Sequence, residues 1–323
     1  MMLSSSEVLP VAESTGFNPG MVEKVIHLIN LLNALDAHPF LKGKWVLKGG
    51  TALNLFVYNL PRLSVDIDLN YIGALGRDEM LADRPKVEQA IQAVFSREGF
   101  RVKRMPTEHA GGKWVLNYQS YTGQSGNLEV DFNFMYRQPL WNIKHLKSCL
   151  LGSHQAKNTP VLDLHELAAG KLAALMARNQ ARDLYDSHRI LASLDLHIDL
   201  LRIAFVVYGG MNRKDWRTVT LDDITFDADD LTRKLCPVLH DPSILKDQSP
   251  VEYGSHLMEE CQKAMSKVLP LSVSEKEFLD LLLEEGKIDS TLLTNDLDLQ
   301  KRIQTQPLLE WKALNVRRHK GIS

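Results

Sequence analysis

Two aspartates lie two residues apart in the segment LSVDIDLNY, residues 63–71. Apolar and polar residues alternate here, which predicts a β-strand. Residues i and i+2 of a strand share a face, so Asp66 and Asp68 project together. The opposite, buried face is expected to hold Val65, Ile67 and Leu69. Two ionised carboxylates this close repel each other, and a divalent cation such as Mg²⁺, which prefers oxygen ligands, removes the repulsion.

A second alternating segment, NLEVDFNFM at residues 127–135, repeats the pattern. Glu129 and Asp131 share its polar face. If this strand lies beside the first, Asp131 completes a cluster of three carboxylates with Asp66 and Asp68. Two Mg²⁺ ions held by such a cluster clamp the attacking and leaving oxygens of a phosphoryl displacement. The alternative is a solvated polar face on an edge strand.

Glycines precede the aspartates in the stretch KGGTAL. Gly49 and Gly50 fall between a predicted strand and a predicted helix, where backbone N–H groups and the helix N-terminus favour a phosphate. Thr51 adds a hydroxyl, although a tight turn with Thr51 as N-cap explains the same residues. Arg62 and Ser64, just ahead of the acids, either contact phosphate or solvate the loop.

The residues above must be positioned by the first half of the chain, which contains both predicted helices and predicted strands. Residues 21–36 predict an amphipathic helix, and residues 84–100 predict another with Pro85 near its start. Strand-like segments follow up to residue 136. The glycines between them are interpreted as hairpin turns, at positions 111, 112, 123 and 126.

Beyond about Pro139 the sequence becomes mainly helical. We therefore expect an α+β fold in which a mixed sheet with flanking helices is followed by a mainly helical C-terminal domain. The predicted domains are residues 1–155 and 156–323. The helical domain is expected to close a cleft for the nucleotide and its acceptor.

Composition limits the possible binding partners and the cellular compartment. The formal net charge is −2, so nucleic-acid binding would need a local basic patch. Three widely spaced cysteines form no CxxC pair, which favours free thiols in a reducing compartment. No signal peptide and no apolar run of the roughly 18 residues that a membrane helix needs is present. We expect a cytoplasmic protein without a membrane partner.

The stretch KGGTALNLF followed by RLSVDIDL resembles the AbiEii/AbiGii toxin family, within the nucleotidyltransferase superfamily of the DNA polymerase β type. A second family-like block is GKLAALMARNQARDLYD, at residues 170–186. The resemblance covers roughly residues 40–190. It implies a nucleotidyltransferase-type sheet and an enzyme that transfers a nucleotidyl group from NTP to an acceptor and releases pyrophosphate.

The resemblance also implies a biological role and a set of site residues. Relatives are toxins of bacterial toxin–antitoxin or phage-defence systems, restrained by a cognate antitoxin, and some modify the 3′ end of tRNA. The expected cofactor is Mg²⁺, or alternatively Mn²⁺, with NTP as substrate. The expected catalytic and metal-binding residues are Asp66, Asp68 and Asp131. The expected nucleotide-binding residues are Lys48, Gly49, Gly50, Thr51, Arg62, Ser64, Lys171, Asp183 and Asp186.

In the second block, Lys171 lies within an apolar helical stripe. It either extends to the rim of the helix or points at an anion, and the family likeness favours nucleotide phosphates. Asp183 and Asp186 are three residues apart, hence on one helical face. They either orient Lys171 or bind the nucleotide, and a surface pair between Arg182 and Asp186 is an equal alternative.

The motifs do not by themselves specify the acceptor. RNA, in particular tRNA, is the leading expectation. Its contacts are sought among the local basic residues Arg97, Arg101, Lys103, Arg104, Lys113, Arg137, Lys144 and Lys147. A hydroxyl of a protein or of a small molecule is an alternative acceptor. A degenerate nucleotide-binding module is a third reading, which the presence of all three carboxylates disfavours.

Overall fold

The protein is described by a computed structural model that covers residues 2–108, 110–240 and 248–321. It divides into two compact units, each built from three segments. As far as they are described, unit 1 comprises Met1–Arg137, Ile143–Leu162 and Pro237–Pro242. Unit 2 comprises Gln138–Asn142, Asp163–Cys236 and Ser243–Ser323.

Unit 1 is organised around a mixed sheet of seven strands in the order β3-β4-β5-β2-β1-β7-β6. The strands are β1 Trp45–Lys48, β2 Asp66–Tyr71, β3 Arg101–Arg104, β4 Gly111–Gln119, β5 Ser125–Asn133, β6 Lys144–Leu146 and β7 Thr159–Val161. β2 pairs antiparallel with β1 and parallel with β5, so it lies inside the sheet. The alternation of the sequence arises because one face of these strands is buried.

The helices of unit 1 are α1 Ser5–Thr15, α2 Pro19–Ala37, α3 Gly49–Ala52 and α4 Arg77–Arg97. α3 continues as a π-helix, Leu53–Val57. α2 contains the predicted segment 21–36; the Asn18 side chain caps it by accepting from the N–H groups of Gly20 and Met21. The α+β fold with a mixed sheet and flanking helices is confirmed.

Three local expectations are wrong. Pro85 lies inside α4 rather than near its start, because the helix begins at Arg77 with Asp78 and Glu79 in its first turn. Gly111 and Gly112 open β4 and Gly126 lies in β5, so of the four glycines only Gly123 occupies the turn between strands. Val65 is only half-buried and precedes β2.

The described part of unit 2 contains helices of varied length. The α-helices are α5 Leu164–Arg178, α6 Ala181–Ser193, α7 Ile198–Gly210, α8 Ala228–Asp230, α9 Pro250–Met265, α10 Val273–Asp280, α11 Leu297–Gln304 and α12 Pro307–Lys320. Shorter 3₁₀ and π-helical segments are Trp216–Thr218, Leu221–Asp223, Leu231–Leu235, Leu281–Glu285 and Ser290–Leu292. A further 3₁₀ segment, Cys236–Val238, leads the chain from unit 2 into the last segment of unit 1. None of the helices within residues 2–108, 110–240 and 248–321 is both long and apolar enough to cross a lipid bilayer.

Candidate active site

The carboxylates are brought together by the pairing of β2 with β5. The two strands are parallel neighbours, with Asp66 opposite Glu129 and Asp68 opposite Asp131. All four side chains therefore share one face of the sheet, and each residue is partly exposed. The second acidic strand therefore lies beside the first, as the predicted cluster of three carboxylates requires.

Two lysines extend this row of acids on β1 and β4, the strands that flank β2 and β5. Lys48 of β1 lies opposite Asp68, and Lys113 of β4 lies opposite Asp131. The order across the sheet is thus lysine, aspartate, aspartate, lysine. Lys113 Nζ lies 2.6 Å from Glu129 Oε2, and this hydrogen bond is the main reason that the pKa of Lys113 is raised. The placement of Lys113 beside Asp131 was not foreseen, because the sequence does not reveal the cross-strand register.

Asp131 lies between opposing influences. Burial raises its pKa, Lys48 and Lys113 lower it, and the negative charge of Asp68 raises it further. The net effect is a pKa above the ordinary value for an aspartate. A cation near Asp68 and Asp131 would therefore relieve an electrostatic conflict that the two lysines only partly offset.

The fit to a divalent metal follows from the donor chemistry and the strand register. Asp66, Asp68 and Asp131 offer hard carboxylate oxygens on one face, as Mg²⁺ requires. The described residues include no group of three acidic, histidine or cysteine side chains already placed to hold a metal ion. The residues thus fit the ion by type and strand position.

Gly49 touches the acids directly. Its φ of +73° lies in the left-handed region, and a Cβ at this position would come 2.3 Å from Oδ2 of Asp68. Only a glycine allows both the backbone conformation and this close approach. α3 begins at Gly49, so both glycines form its first turn, rather than a turn ahead of it. Gly50 is buried, and its carbonyl accepts a hydrogen bond from Asn54 Nδ2 at 2.8 Å.

The polar residues around this turn bond to the protein itself. Thr51 is fully buried, and its hydroxyl donates to the carbonyl of Asp66 and lies 3.0 Å from Ser64 Oγ. Arg62 is 2% exposed, with Nη1 donating to the carbonyl of Leu63 at 2.9 Å. These bonds fix the start of β2 against α3. Contact of Thr51, Ser64 and Arg62 with phosphate stays a prediction.

A returning segment of unit 1 holds the loop before β2. The N–H of Leu63 donates to the carbonyl of Val238 at 2.8 Å, and the N–H of His240 donates to that of Pro61 at 3.1 Å. Arg62 and Leu239 form an antiparallel bridge between these bonds. The entry to the aspartate strand is thus fastened by residues far away in the sequence, which sequence patterns alone do not indicate.

In unit 2, the second family-like block forms a buried ion cluster. Lys171 of α5 is 8% exposed, and its Nζ lies 2.8 Å from Asp183 Oδ1 and 3.0 Å from Asp186 Oδ2. Arg178 Nε donates to Asp183 Oδ2 at 2.7 Å. Burial opposes the charge of Asp183, but Lys171 and Arg178 outweigh it and hold its pKa well below the ordinary value.

Lys171, Asp183 and Asp186 of the helical block lie close together. Asp186 is buried and its Oδ2 contacts Lys171 Nζ, so it does not lie on the surface, while its pairing with Arg182 stays a prediction. Asp183 and Asp186 both contact Lys171 within unit 2, and their role in orienting it stays a prediction. Binding of the nucleotide by Lys171, Asp183 or Asp186 stays a prediction.

The basic residues considered for RNA fall into different environments. Arg101, Lys103 and Arg104 are exposed along β3, at one edge of the sheet. Arg137, in contrast, is 7% exposed and donates to the carbonyls of Leu75 and Phe134. It supports the chain locally and does not belong to an exposed basic surface.

The mixed sheet and its facing aspartates, entered through a strand–glycine–helix unit, are those of a nucleotidyltransferase. A model of the family described as "Nucleotidyl transferase AbiEii toxin, Type IV TA system" matches residues 30–267. This range is well over half of the 323 residues, so the chain belongs to that family. The resemblance seen in the sequence is confirmed, and the protein is a nucleotidyltransferase of a toxin family. The family implies NTP as substrate, a divalent metal and an antitoxin partner.

A solved structure agrees at the level of the fold. The chain is similar to MenT4, a nucleotidyltransferase toxin from Mycobacterium tuberculosis H37Rv, with a TM-score of 0.60 and 16% sequence identity. The similarity covers 92% of this chain and 98% of MenT4. No curated protein matches the sequence at a significant level.

Proposed function

We propose that the protein transfers a nucleoside monophosphate from NTP to the 3′ end of an RNA, specifically tRNA, in a Mg²⁺-dependent reaction that blocks translation. The observation that carries the chemistry is the register of Asp68 with Asp131, with Gly49 held against the Asp68 carboxylate. Family membership supports the transfer and the toxic role. The RNA acceptor and the choice of metal are our own inference.

Asp66, Asp68 and Asp131 would hold Mg²⁺, or Mn²⁺ in its place. When bound, the metal supplies charge neutralisation at the attacking and leaving oxygens. Its ligands sit at fixed strand positions, and two of them lie directly opposite each other. The third, Asp66, is fixed through the bond from the Thr51 hydroxyl to its backbone carbonyl.

The chain's own groups then account for the remaining chemistry. The terminal 3′-oxygen of the acceptor attacks the α-phosphorus, and the bond from this phosphorus to the oxygen bridging to the β-phosphate breaks. Pyrophosphate leaves, and the hydroxyl proton passes to the Asp131 carboxylate. Lys48 and the backbone N–H groups of Gly49 and Gly50 bind the triphosphate.

The proposed setting is the bacterial cytoplasm, where NTP and tRNA are both available. Expression of the protein alone is expected to arrest growth, and co-expression of a cognate antitoxin is expected to restore it. A variant without the metal-binding carboxylates is expected to be harmless. This link between chemistry and toxicity separates the proposal from a nucleotide-binding module that has lost activity.

The test uses purified protein with each α-labelled NTP in turn, Mg²⁺, and either total bacterial RNA or a protein extract as acceptor. We expect label in a band of tRNA size, and no transfer by an Asp66→Ala variant. Label only on protein would contradict the RNA acceptor. Growth arrest by the Asp66→Ala variant would contradict the enzymatic account of toxicity.

A further inference from the structure

The face of the sheet that carries Asp131 continues along β4 and β5, well beyond the aspartates. Alternate residues of the two strands share this face and lie opposite each other in pairs. The pairs are Lys113 with Asp131, Val115 with Glu129, Asn117 with Asn127, and Gln119 with Ser125. All eight residues are exposed or half-buried. The opposite face holds the buried residues Trp114, Leu116, Tyr118, Leu128 and Val130. One side of these strands is thus an open, mostly polar surface.

The edge strand β3 adds positive charge to this surface. Arg101 lies opposite Asn117, and Arg101, Lys103 and Arg104 are all exposed. Among the residues that the structure describes, none of these three cations has a carboxylate within 4 Å, whereas Lys113 is paired with Glu129. Exposed cations without acidic partners favour a polyanionic ligand.

A pocket lies beside Arg101, where β4 ends and β5 begins. It has a volume of about 360 Å³, and its lining includes Arg101, Asn117, Gln119 and Ser125. Asn117 Nδ2 already donates to Ser125 Oγ and to the carbonyl of Gly126. The Asn117 amide oxygen and the Gln119 amide can still face a ligand, and the Arg101 guanidinium adds donors for a phosphate. Asn117 is four residues along β4 from Lys113, which corresponds to about 13 Å at the usual strand rise.

We infer that this surface is an acceptor track: the open face of β3, β4 and β5 from Asp131 to Arg101 binds the single-stranded 3′ end of the RNA. The inference rests on the proposed function and adds where the acceptor lies. The terminal hydroxyl reaches Asp131, a preceding phosphate meets Arg101, and a base enters the pocket beside Asn117. Continuity with the catalytic face, a polar lining and the exposed cations of the β3 edge select this occupant over an apolar peptide.

Arg101→Glu tests the track, with Lys42→Glu as the matched control. Lys42 is an exposed lysine of unit 1 in the turn before β1, and its substitution makes the same change of net charge. Binding of a fluorescent single-stranded RNA oligonucleotide is measured by anisotropy, without NTP or metal. We expect Arg101→Glu to bind the oligonucleotide with a Kd about tenfold higher, in line with the loss of a charge-assisted contact. The slope of log K against log salt should fall by about 0.7 for each lost contact.

Steady-state transfer separates this inference from the proposed function. In Arg101→Glu the KM for the RNA acceptor should rise and the KM for NTP should stay at the wild-type value. If wild-type protein labels RNA but Arg101→Glu and Lys42→Glu behave alike in both assays, the acceptor track is wrong and the proposed function stands. If wild-type protein labels no RNA, the proposed function itself is wrong. The acceptor track would also be wrong if Arg101→Glu lost more affinity for an acidic peptide than for the RNA oligonucleotide.

Discussion

The Gly49→Ala substitution isolates the contact between the glycine turn and the metal-binding face. The left-handed backbone at φ +73° costs an L-residue about 1–2 kcal/mol. The new Cβ would lie 2.3 Å from Asp68 Oδ2, inside the 3.0 Å below which such contacts essentially never occur. The carboxylate must therefore move by about 0.7 Å or more, since 3.0 minus 2.3 is 0.7. A displacement near 1 Å at a reacting centre can lower a rate about 100-fold.

Gly43→Ala is the matched control for this experiment. Gly43 has φ +74°, and a Cβ there meets nothing within 4 Å. Both substitutions lower the free energy of unfolding by the same backbone cost of roughly 1–2 kcal/mol, and Gly49→Ala adds the cost of displacing the Asp68 carboxylate. Transfer of label from NTP to RNA should fall about 100-fold only in Gly49→Ala.

The readouts are urea denaturation for stability and initial rates across a range of Mg²⁺ concentrations for activity. We expect Gly49→Ala to need more Mg²⁺ for half-maximal rate, because Asp68 is displaced. If its transfer rate stays within about threefold of that of Gly43→Ala, the reasoning that links Gly49 to Asp68 and to catalysis is refuted.

Further predictions concern the charged clusters. Asp68→Asn should abolish transfer and leave the fold intact, with apo stability by thermal denaturation unchanged or slightly higher, because repulsion with Asp131 is removed; retained transfer would argue against metal binding there. Lys171→Ala should lower the free energy of unfolding by about 3–5 kcal/mol, since two buried carboxylates lose the ammonium group that both contact. Arg178→Ala, at a side chain that is 54% exposed, should lower the free energy of unfolding by less than about 1 kcal/mol in a urea titration. Equal losses in Lys171→Ala and Arg178→Ala would contradict the difference in burial between these two side chains. The lowered pKa of Asp183 means that its contribution is present above its unfolded pKa of about 3.9 and is lost as pH falls below it. Stability should therefore drop below about pH 4 in the wild type, and less steeply in Lys171→Ala.

The parts of the site that alternation controls could be predicted from the sequence. Period two placed Asp66 and Asp68 on one face of β2 and Asp131 on the corresponding face of β5. The glycine pair was noticed because it falls between a predicted strand and a predicted helix, although a tight turn explained the same residues. The reason for Gly49, its approach to Asp68, needed coordinates, because it depends on the distance between two elements.

Other features depend on register and on contacts between distant segments. Lys113 faces Asp131 only because β4 pairs with β5 in one particular register, which the sequence leaves open. The bridge between Arg62 and Leu239 joins positions far apart in the chain. Arg137 looked like a surface cation, whereas its carbonyl partners bury it. Burial of Lys171 was indicated by its apolar stripe, but its two aspartate partners were identified only as one of several alternatives.

The central claim is that the carboxylates on β2 and β5 transfer a nucleotide to the 3′-hydroxyl of tRNA. The most direct measurement gives the purified protein α-labelled NTP, Mg²⁺ and tRNA that is either intact or oxidised with periodate, which destroys the terminal 3′-hydroxyl. We predict label at the 3′ end of intact tRNA, none on oxidised tRNA, and none with the Asp68→Asn variant. Equal labelling of intact and oxidised tRNA, or full labelling by Asp68→Asn, would contradict the account.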